Sequence, residues 1–217
     1  MKTCIVTTIK TTNKRLPGKT FKLLNGKPLY TYVFSTLKKL VGVDVYIDSS
    51  DDHVLNIAKE WGFKTLKRPE EYDADHIQGN ELLDRIVDML DYDIIGWILI
   101  TTPFLTVETI KRSISLMEQD PSIDSLIGIV PRQNRFWYKD KPINHDINNL
   151  IGTQSLIPVQ EEADFYFIRK ESFKKYAKRV CGNVKTVQVN DIEAVDIDTL
   201  TDFLFAEALL KQDLVNL

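Results

Sequence analysis

The sequence predicts an α/β protein with a doubly wound, mostly parallel sheet and an inserted arm. Short β-branched apolar runs alternate with amphipathic stretches of helical length from Thr3 to the last helix of the chain. Connections of that length can cross back over a sheet, so they join parallel strands and place helices on both faces. With 43% hydrophobic and 27% charged residues, the composition is typical of a soluble globular protein.

Six segments are predicted as strands because they are short, apolar and rich in β-branched or aromatic residues: TCIVTT, VDVYID, FKTLKR, DIIGWILITT, SLIGIV and ADFYFIRK. Six others have apolar residues at helical spacing: GKPLYTYVFSTLKKL, DDHVLNIAKEWGF, GNELLDRIVDML, TVETIKRSISLMEQ, ESFKKYAKR and LTDFLFAEALLKQ. Local signals set three of the boundaries. Pro28 lies near the start of the first helix, Gly62 stops the second, and Thr106 is the predicted N-cap of the fourth.

Residues 131–162 do not follow this alternation, because they contain three prolines and little periodicity. Loops of this length inside a compact domain usually have a function. We consider a lid over the site, a hairpin arm that exchanges with a partner subunit, or a partly disordered segment. Phe136, Trp137 and Tyr138 favour an arm or interface, although a local core cluster explains them equally well. The chain of 217 residues is predicted to form a single domain that carries this segment.

The composition argues against several other classes of protein. The apolar run in MKTCIVTT is too short for a signal peptide or a membrane span, so we expect a cytoplasmic protein without a membrane partner. Cys4 and Cys181 are expected to be reduced thiols in strands or at strand edges, and the three histidines have no zinc-binding spacing. A formal net charge of −3 without a long basic run argues against nucleic acid as a partner.

A local excess of positive charge follows the first predicted strand. Nine Lys or Arg residues precede the first acidic residue, Asp44, in a chain that is acidic as a whole. A basic loop at the carboxyl end of a strand is placed to bind phosphate, and the turn at Pro17 and Gly18 lets main-chain N–H groups approach it. The alternative is a set of ordinary surface lysines. In the phosphate interpretation Lys19 is a solvated side chain, so we expect Lys19→Ala to change the melting temperature little.

A second chemical centre lies near the C-terminus, in the segment VDIDT. Asp196 and Asp198 are two residues apart, so they lie on the same face of an extended segment and can converge on one divalent ion. The alternative is an acidic cluster at the start of the last helix, which explains one of the two residues but not the other.

The segment TTNKRLPGKTFKLLNGKPL resembles the signature loop of the acylneuraminate and ketodeoxyoctonate cytidylyltransferases, a group of sugar-activating nucleotidyltransferases. Their loop reads approximately A-R-x-G-S-K-R-L-P-G-K-N and is followed by G-K-P-L. The matches run from Lys14 to Lys19 and from Gly26 to Leu29, whereas Lys10 replaces the first arginine and Thr20 replaces the asparagine. Four further segments resemble the family in the same order: SSDDHVLNIAKEWGF, KRPEEYDAD, TTPFLTVETI and EAVDIDTLTDFLFAEALL.

This resemblance implies a Rossmann-like nucleotidyltransferase that activates an acid sugar with CTP, giving a CMP-sugar and pyrophosphate. The acceptor would be a 2-keto-3-deoxy acid, such as a sialic-acid-like or octulosonic sugar. The resemblance also implies a Mg²⁺ ion held by Asp196 and Asp198 and a homodimer completed by the arm. Lys14, Lys19 and Asp198 would be the catalytic residues, and Thr101 and Thr102 would contact the acceptor. The implied nucleotide-binding residues are Lys10, Asn13, Lys14, Arg15, Lys19, Thr20 and Arg68.

The resemblance weakens on the acceptor side of the implied site. Leu99 and Ile100 replace the family's Gln-Pro, Leu105 replaces an arginine, and the family's N-G-A is replaced by Ala163-Asp164-Phe165. Polar groups that would satisfy a carboxylate or an N-acyl group are therefore missing. Two alternatives stay open: a nucleotide-binding protein of the same fold without transfer activity, and a nucleotidyltransferase that uses another nucleotide or acceptor.

Overall fold

The structure is a computed structural model that describes residues 1–215. Its strands are β1 (Thr3–Ile9), β2 (Leu23–Leu24), β3 (Lys27–Pro28), β4 (Asp44–Ser49), β5 (Lys64–Lys67), β6 (Ile94–Ile98), β7 (Ser125–Arg132), β8 (Trp137–Tyr138), β9 (Lys141–Pro142), β10 (Val159–Arg169) and β11 (Val184–Gln188). Its α-helices are α1 (Tyr30–Lys38), α2 (Asp52–Glu60), α3 (Gly79–Met89), α4 (Val107–Gln119), α5 (Lys170–Tyr176) and α6 (Leu200–Lys211).

The central sheet contains seven strands in the order β11-β7-β10-β6-β1-β4-β5. All neighbouring pairs are parallel except those made by β10, which runs antiparallel to both β6 and β7. Helices α1, α2 and α4 pack in one hydrophobic cluster, whereas α3 and α5 pack in a second. The prediction of a mostly parallel, doubly wound sheet is therefore confirmed, and strand β6 is buried along its whole length, as expected of a central strand covered on both faces.

Three features of the sheet differ from the prediction. The alternation did not reveal β11, which is exposed at four of its five positions because it forms one edge of the sheet. Periodicity also carries no information on strand direction, so the reversal of β10 was not predicted. Finally, β6 ends at Ile98 rather than continuing to Thr102, because the next residues form a turn in which Thr102 N–H donates to the Leu99 carbonyl at 3.2 Å.

The helix boundaries follow the predicted local signals. The Thr106 side chain accepts a hydrogen bond from Thr109 N–H at 3.2 Å, as expected of an N-cap. Helix α2 ends two residues before Gly62, which has a φ of 82°. Both cysteines are buried and unpaired, but Cys181 lies in the loop before β11 rather than in a strand.

The inserted segment is shorter than predicted, because β7 continues to Arg132 and β10 begins at Val159. We call residues 133–158 the arm. It contains the small β8-β9 hairpin and is held together by Asn144, whose side chain accepts from Phe136 N–H at 2.9 Å. Seven large apolar side chains of the arm are exposed: Trp137, Tyr138, Ile143, Ile147, Leu150, Ile151 and Ile157. In residues 1–215, no helix combines the length and the hydropathy needed to cross a bilayer.

Candidate active site

A pocket of about 330 Å³ opens at the edge of the sheet where β1 and β6 end and β10 begins. The carboxyl ends of the parallel strands lie at this edge, and the first half of β10 lies there because β10 runs in the opposite direction. The pocket therefore collects residues from distant parts of the chain. Its lining residues are Thr8, Lys10, Asn13, Arg15, Lys19, Gln78, Gly79, Leu82, Trp97, Leu99, Ile100, Thr101, Asp164, Tyr166, Arg179, Asp196 and Asp198.

Lys19 connects the basic loop to the VDIDT segment. Gly18 has a φ of 67°, a left-handed conformation that glycine adopts without strain, and it turns the chain into a short 3₁₀ helix that begins at Lys19. The Lys19 ammonium donates to the Ile197 carbonyl and to Asp198 Oδ1, both at 3.0 Å. Only 7% of Lys19 is exposed, so the expectation that it is solvated was wrong.

Asp198 also pairs with Arg15, whose guanidinium lies 2.6 Å from Asp198 Oδ2. Two residues of the predicted phosphate loop thus contact the same carboxylate. Lys14 instead forms a salt bridge with Asp75 at the protein surface, where both side chains are largely exposed. Lys14 does not line the pocket, and its catalytic role stays a prediction.

Lys10, Asn13 and Thr20 shape the loop. The Lys10 carbonyl accepts hydrogen bonds from Asn13 Nδ2 at 2.9 Å and from Thr20 Oγ1 at 3.3 Å. Thr20 is buried and does not line the pocket, whereas Lys10 and Asn13 do. Burial lowers the pKa of Lys10, and the nearby charge of Arg68 lowers it further.

Arg68 lies inside the protein rather than in the pocket. Its guanidinium donates to Asp48 Oδ2 at 2.8 Å, to Asp73 Oδ1 at 3.0 Å and to the Ile9 carbonyl at 2.6 Å, and the residue is fully buried. These contacts fix the end of β1, from which the basic loop starts. Its predicted contact with a nucleotide stays a prediction, and the structure gives it a clear role in positioning that loop.

Asp196 is a strongly perturbed carboxyl group of the pocket. The residue is half-buried, and its buried Oδ1 atom has no hydrogen-bond partner in residues 1–215. Burial raises the pKa of Asp196 to about 7; the charges of Asp198 and Asp164 add to the rise, and the Thr101 hydroxyl opposes it. The Thr101 carbonyl accepts from Ile197 N–H at 2.8 Å, which holds the VDIDT segment against the end of β6.

The two threonines that sequence reasoning assigned to the acceptor have different surroundings. Thr101 lines the pocket. Thr102 is buried, and its hydroxyl donates to the Leu99 carbonyl at 2.9 Å. Only Thr101 is therefore positioned to meet a bound molecule, and a contact of either residue with the acceptor stays a prediction.

The donor atoms of the VDIDT segment fit Mg²⁺. Mg²⁺ prefers carboxylate oxygens and usually takes one or two from the protein, with water and phosphate completing its coordination. Asp196 offers an oxygen without a hydrogen-bond partner, and Asp198 lies beside it in the same pocket. The part of the chain that the structure describes holds no cluster of three or more His, Cys, Asp or Glu residues suited to a metal, so a metal here would depend on this pair and on phosphate oxygens.

Several residues of the pocket were not predicted from the sequence. Gly79 at the start of α3, Trp97 in β6, Tyr166 in β10 and Arg179 after α5 form one wall of the pocket. Gly79 is a recognisable helix-start residue, but the other three belong to ordinary strand and loop segments. Only their meeting in three dimensions distinguishes them.

Residues 10–215 match the model of a family described as Cytidylyltransferase. The chain belongs to this cytidylyltransferase family. Among its curated relatives are 3-deoxy-manno-octulosonate cytidylyltransferase 2 of Hydrogenovibrio crunogenus, 33% identical over 75 residues that make up 34% of this chain, and N-acylneuraminate cytidylyltransferase A of Danio rerio, 25% identical over 90% of this chain. The alignments span 30% and 47% of those two proteins, respectively.

A third relative of this cytidylyltransferase-family chain matches over more of its own length. It is the CMP-N,N'-diacetyllegionaminic acid synthase of Legionella pneumophila, which is 22% identical over 92% of each chain. A solved CMP:2-keto-3-deoxy-manno-octonic acid synthetase in complex with CTP superposes with a TM-score of 0.75 at 18% identity, covering 98% of this chain and all of that one. At that identity the likeness concerns the fold, which is the Rossmann-like nucleotidyltransferase fold.

Proposed function

We propose that the protein transfers CMP from CTP to the hydroxyl group of an acid sugar, releasing pyrophosphate. The observation that carries the proposal is the meeting of Lys19 and Arg15 with Asp198 in one pocket, beside Asp196. These residues belong to the two segments that most resemble the acid-sugar cytidylyltransferases, and the chain belongs to the cytidylyltransferase family.

In this proposal, the acceptor hydroxyl attacks the α-phosphorus of CTP, and the bond from that phosphorus to the β-phosphate oxygen breaks. Positioning and cationic charge do most of the work in such a transfer, because negative charge builds up on the phosphate oxygens. Lys19 and Arg15 already face a carboxylate, so phosphate oxygens can compete with Asp198 for the same donors. Lys19 is largely buried, and its charge therefore acts with little screening by water.

Asp196 and Asp198 would hold Mg²⁺. When bound, that ion would neutralise charge on the phosphates. The raised pKa of Asp196 makes metal binding depend on pH, because the carboxylic acid must lose its proton before it can serve as a ligand. Metal binding is therefore expected to strengthen as the pH rises through about 7.

We also propose a homodimer formed through the arm. Its seven exposed apolar side chains include Trp137, which is 54% exposed, and Ile157, which is 82% exposed. Seven exposed apolar side chains in one segment are costly to leave in water, and a twofold pairing is the usual way to bury a self-complementary surface. A cytoplasmic location stays a prediction from the sequence.

The test is an assay of pyrophosphate release with CTP, Mg²⁺ and either 3-deoxy-manno-octulosonate or an N-acylneuraminate. We expect release that requires both CTP and one of the acid sugars and that falls when UTP, GTP or ATP replaces CTP. Saturable CTP binding without release in any mixture would contradict the proposal and favour the alternative of a nucleotide-binding protein. Release with a different nucleotide would indicate a nucleotidyltransferase with another donor.

A further inference from the structure

Arg179 presents an unpaired positive charge to the pocket. Four cationic side chains line this pocket, and the other three have partners: Arg15 and Lys19 contact Asp198, and Lys10 donates to the Ala74 carbonyl at 3.4 Å. Arg179 takes part in no salt bridge within residues 1–215, and its buried Nε atom lacks a hydrogen-bond partner there. A guanidinium that is partly removed from water needs an anionic partner.

Arg179 is also held in a fixed orientation. Its guanidinium carbon lies 4.6 Å from the centre of the Tyr166 ring and 5.6 Å from that of Trp97. Its main-chain N–H donates to Asn80 Oδ1 at 3.1 Å, which ties the α5-β11 loop to the first turn of α3. Guanidinium groups stack well on aromatic faces, and the edge that carries their donors then stays available for a ligand.

The neighbouring residues preserve space beside this group. A Cβ atom added to Gly79 would lie 3.0 Å from Arg179 Nη1 and 2.5 Å from the Trp97 ring, so glycine keeps the wall open. The Trp97 indole N–H donates to Thr8 Oγ1 at 3.1 Å, and the Tyr166 hydroxyl lies 2.8 Å from Asp164 Oδ1. These hydrogen bonds restrict the rotation of both aromatic rings, so Arg179 stacks on rings that are held in place.

We infer that Arg179 binds the carboxylate of the acceptor, an inference that rests on the proposed function. Leu99 and Ile100 line the pocket where the resembling family carries Gln-Pro, and the α5-β11 loop adds a guanidinium to the same pocket. A carboxylate is the planar partner that matches the fork of a guanidinium through two parallel hydrogen bonds. Arg179 is therefore a determinant of acceptor specificity, whereas Lys19, Arg15 and the two aspartates act on the nucleotide.

The experiment compares Arg179→Gln and Arg179→Lys with the wild type in the pyrophosphate assay, using whichever of 3-deoxy-manno-octulosonate and N-acetylneuraminate gives the higher rate. We expect Arg179→Gln to raise the KM for the sugar by about tenfold to a hundredfold while the KM for CTP changes less than about twofold. Arg179→Lys keeps the charge but loses the two parallel donors of the guanidinium, so its KM for the sugar should lie between those of the wild type and Arg179→Gln. Lys178→Ala, an exposed neighbour, is the matched control and should behave as wild type.

Three results would overturn the assignment. An unchanged sugar KM in Arg179→Gln excludes a contact with the carboxylate, and an equal rise in both KM values indicates a merely structural role. A sugar phosphate that replaces the acid sugar with a lower KM in the wild type would show that the site takes phosphate. Failure of the proposed function itself gives a different result, because the wild type would then release no pyrophosphate from CTP with any acid sugar. That result would also remove the carboxylate assignment.

Discussion

Replacing Lys19 with alanine is expected to lower the free energy of unfolding by about 2 to 3 kcal/mol. The substitution removes two hydrogen bonds of 3.0 Å from a side chain that is 7% exposed, one to a carboxylate and one to a main-chain carbonyl. Hydrogen bonds that involve a charged group contribute about 1.5 to 3 kcal/mol each. The expected loss lies at or below the lower end of the summed range of about 3 to 6 kcal/mol, because Asp198 keeps its contact with Arg15 and is 23% exposed at its side chain.

The measurement is urea unfolding at neutral pH, supported by thermal unfolding. For a domain of this size, about 2 to 3 kcal/mol corresponds to a fall in Tm of about 5 to 10 °C. Lys27→Ala is the matched control, since Lys27 is an exposed lysine that follows the same loop, and it should shift the stability by less than about 0.5 kcal/mol. A double-mutant cycle with Asp198→Asn should give a coupling energy of about 1 kcal/mol or more.

The reasoning fails if Lys19→Ala and Lys27→Ala unfold at the same urea midpoint. Equal midpoints would mean that the contacts of Lys19 with Ile197 and Asp198 contribute little, and that the ammonium is in effect solvated. A large loss of stability without coupling to Asp198 would assign the effect to the Ile197 carbonyl alone. Under the proposed function, pyrophosphate release should fall by about a hundredfold in the same variant, because it lacks a cation proposed to bind phosphate.

Three further predictions concern the metal, the arm and the sheet edge. Asp196→Asn and Asp198→Asn keep the shape of the side chain and remove its charge, so each should lower pyrophosphate release about a hundredfold. EDTA added to the wild type should have the same effect. Wild-type rates in both variants would exclude the metal assignment. Light scattering should give a dimer mass at micromolar protein, and Trp137→Asp should give a monomer while Val41→Asp, an exposed control outside the arm, should not; a wild-type monomer would refute the dimer. Hydrogen bonds from Ser172 and from Asn183 N–H lower the pKa of Asp124. The stability that the ionised Asp124 adds should therefore be fully present above its unfolded pKa of about 4, and it should be lost as the pH falls below that value. The stability difference between wild type and Asp124→Asn should therefore shrink as the pH falls from about 5 to about 2, and a constant difference in urea unfolding would contradict this.

The residues proposed to act on the nucleotide could be predicted from short motifs, because the members of each motif are close in sequence. Gly18 and Lys19 lie in the loop that follows β1, and Asp196 and Asp198 precede α6. The burial of Lys19 could not be predicted, since it depends on an acceptor 178 positions away. A charged residue next to a glycine turn is normally exposed, and only tertiary packing reverses that expectation.

The wall of the pocket that contains Arg179 could not be predicted in the same way. Arg179 comes from a loop with no distinctive pattern, and its meaning depends on the rings of Trp97 and Tyr166, which belong to antiparallel neighbours in the sheet. Hydrophobic periodicity identified the segments that became β6 and β10, but it gave neither their pairing nor the direction of β10. Strand direction is decided by connections and packing, which a local pattern does not contain.

Because β10 is reversed, sequence changes in the arm and sequence changes in the rest of the chain have different consequences for the pocket. Since β7 ends and β10 begins at the same edge of the sheet, the arm leaves and re-enters the protein beside the pocket. Insertions, deletions or a transplanted hairpin between residues 132 and 159 would therefore change the surface beside the pocket without shifting the segments that carry Lys19 and the two aspartates. Under the proposed function, a protein arranged in this way can change its acceptor by exchanging one excursion of the chain, while the residues proposed to bind the nucleotide stay in place.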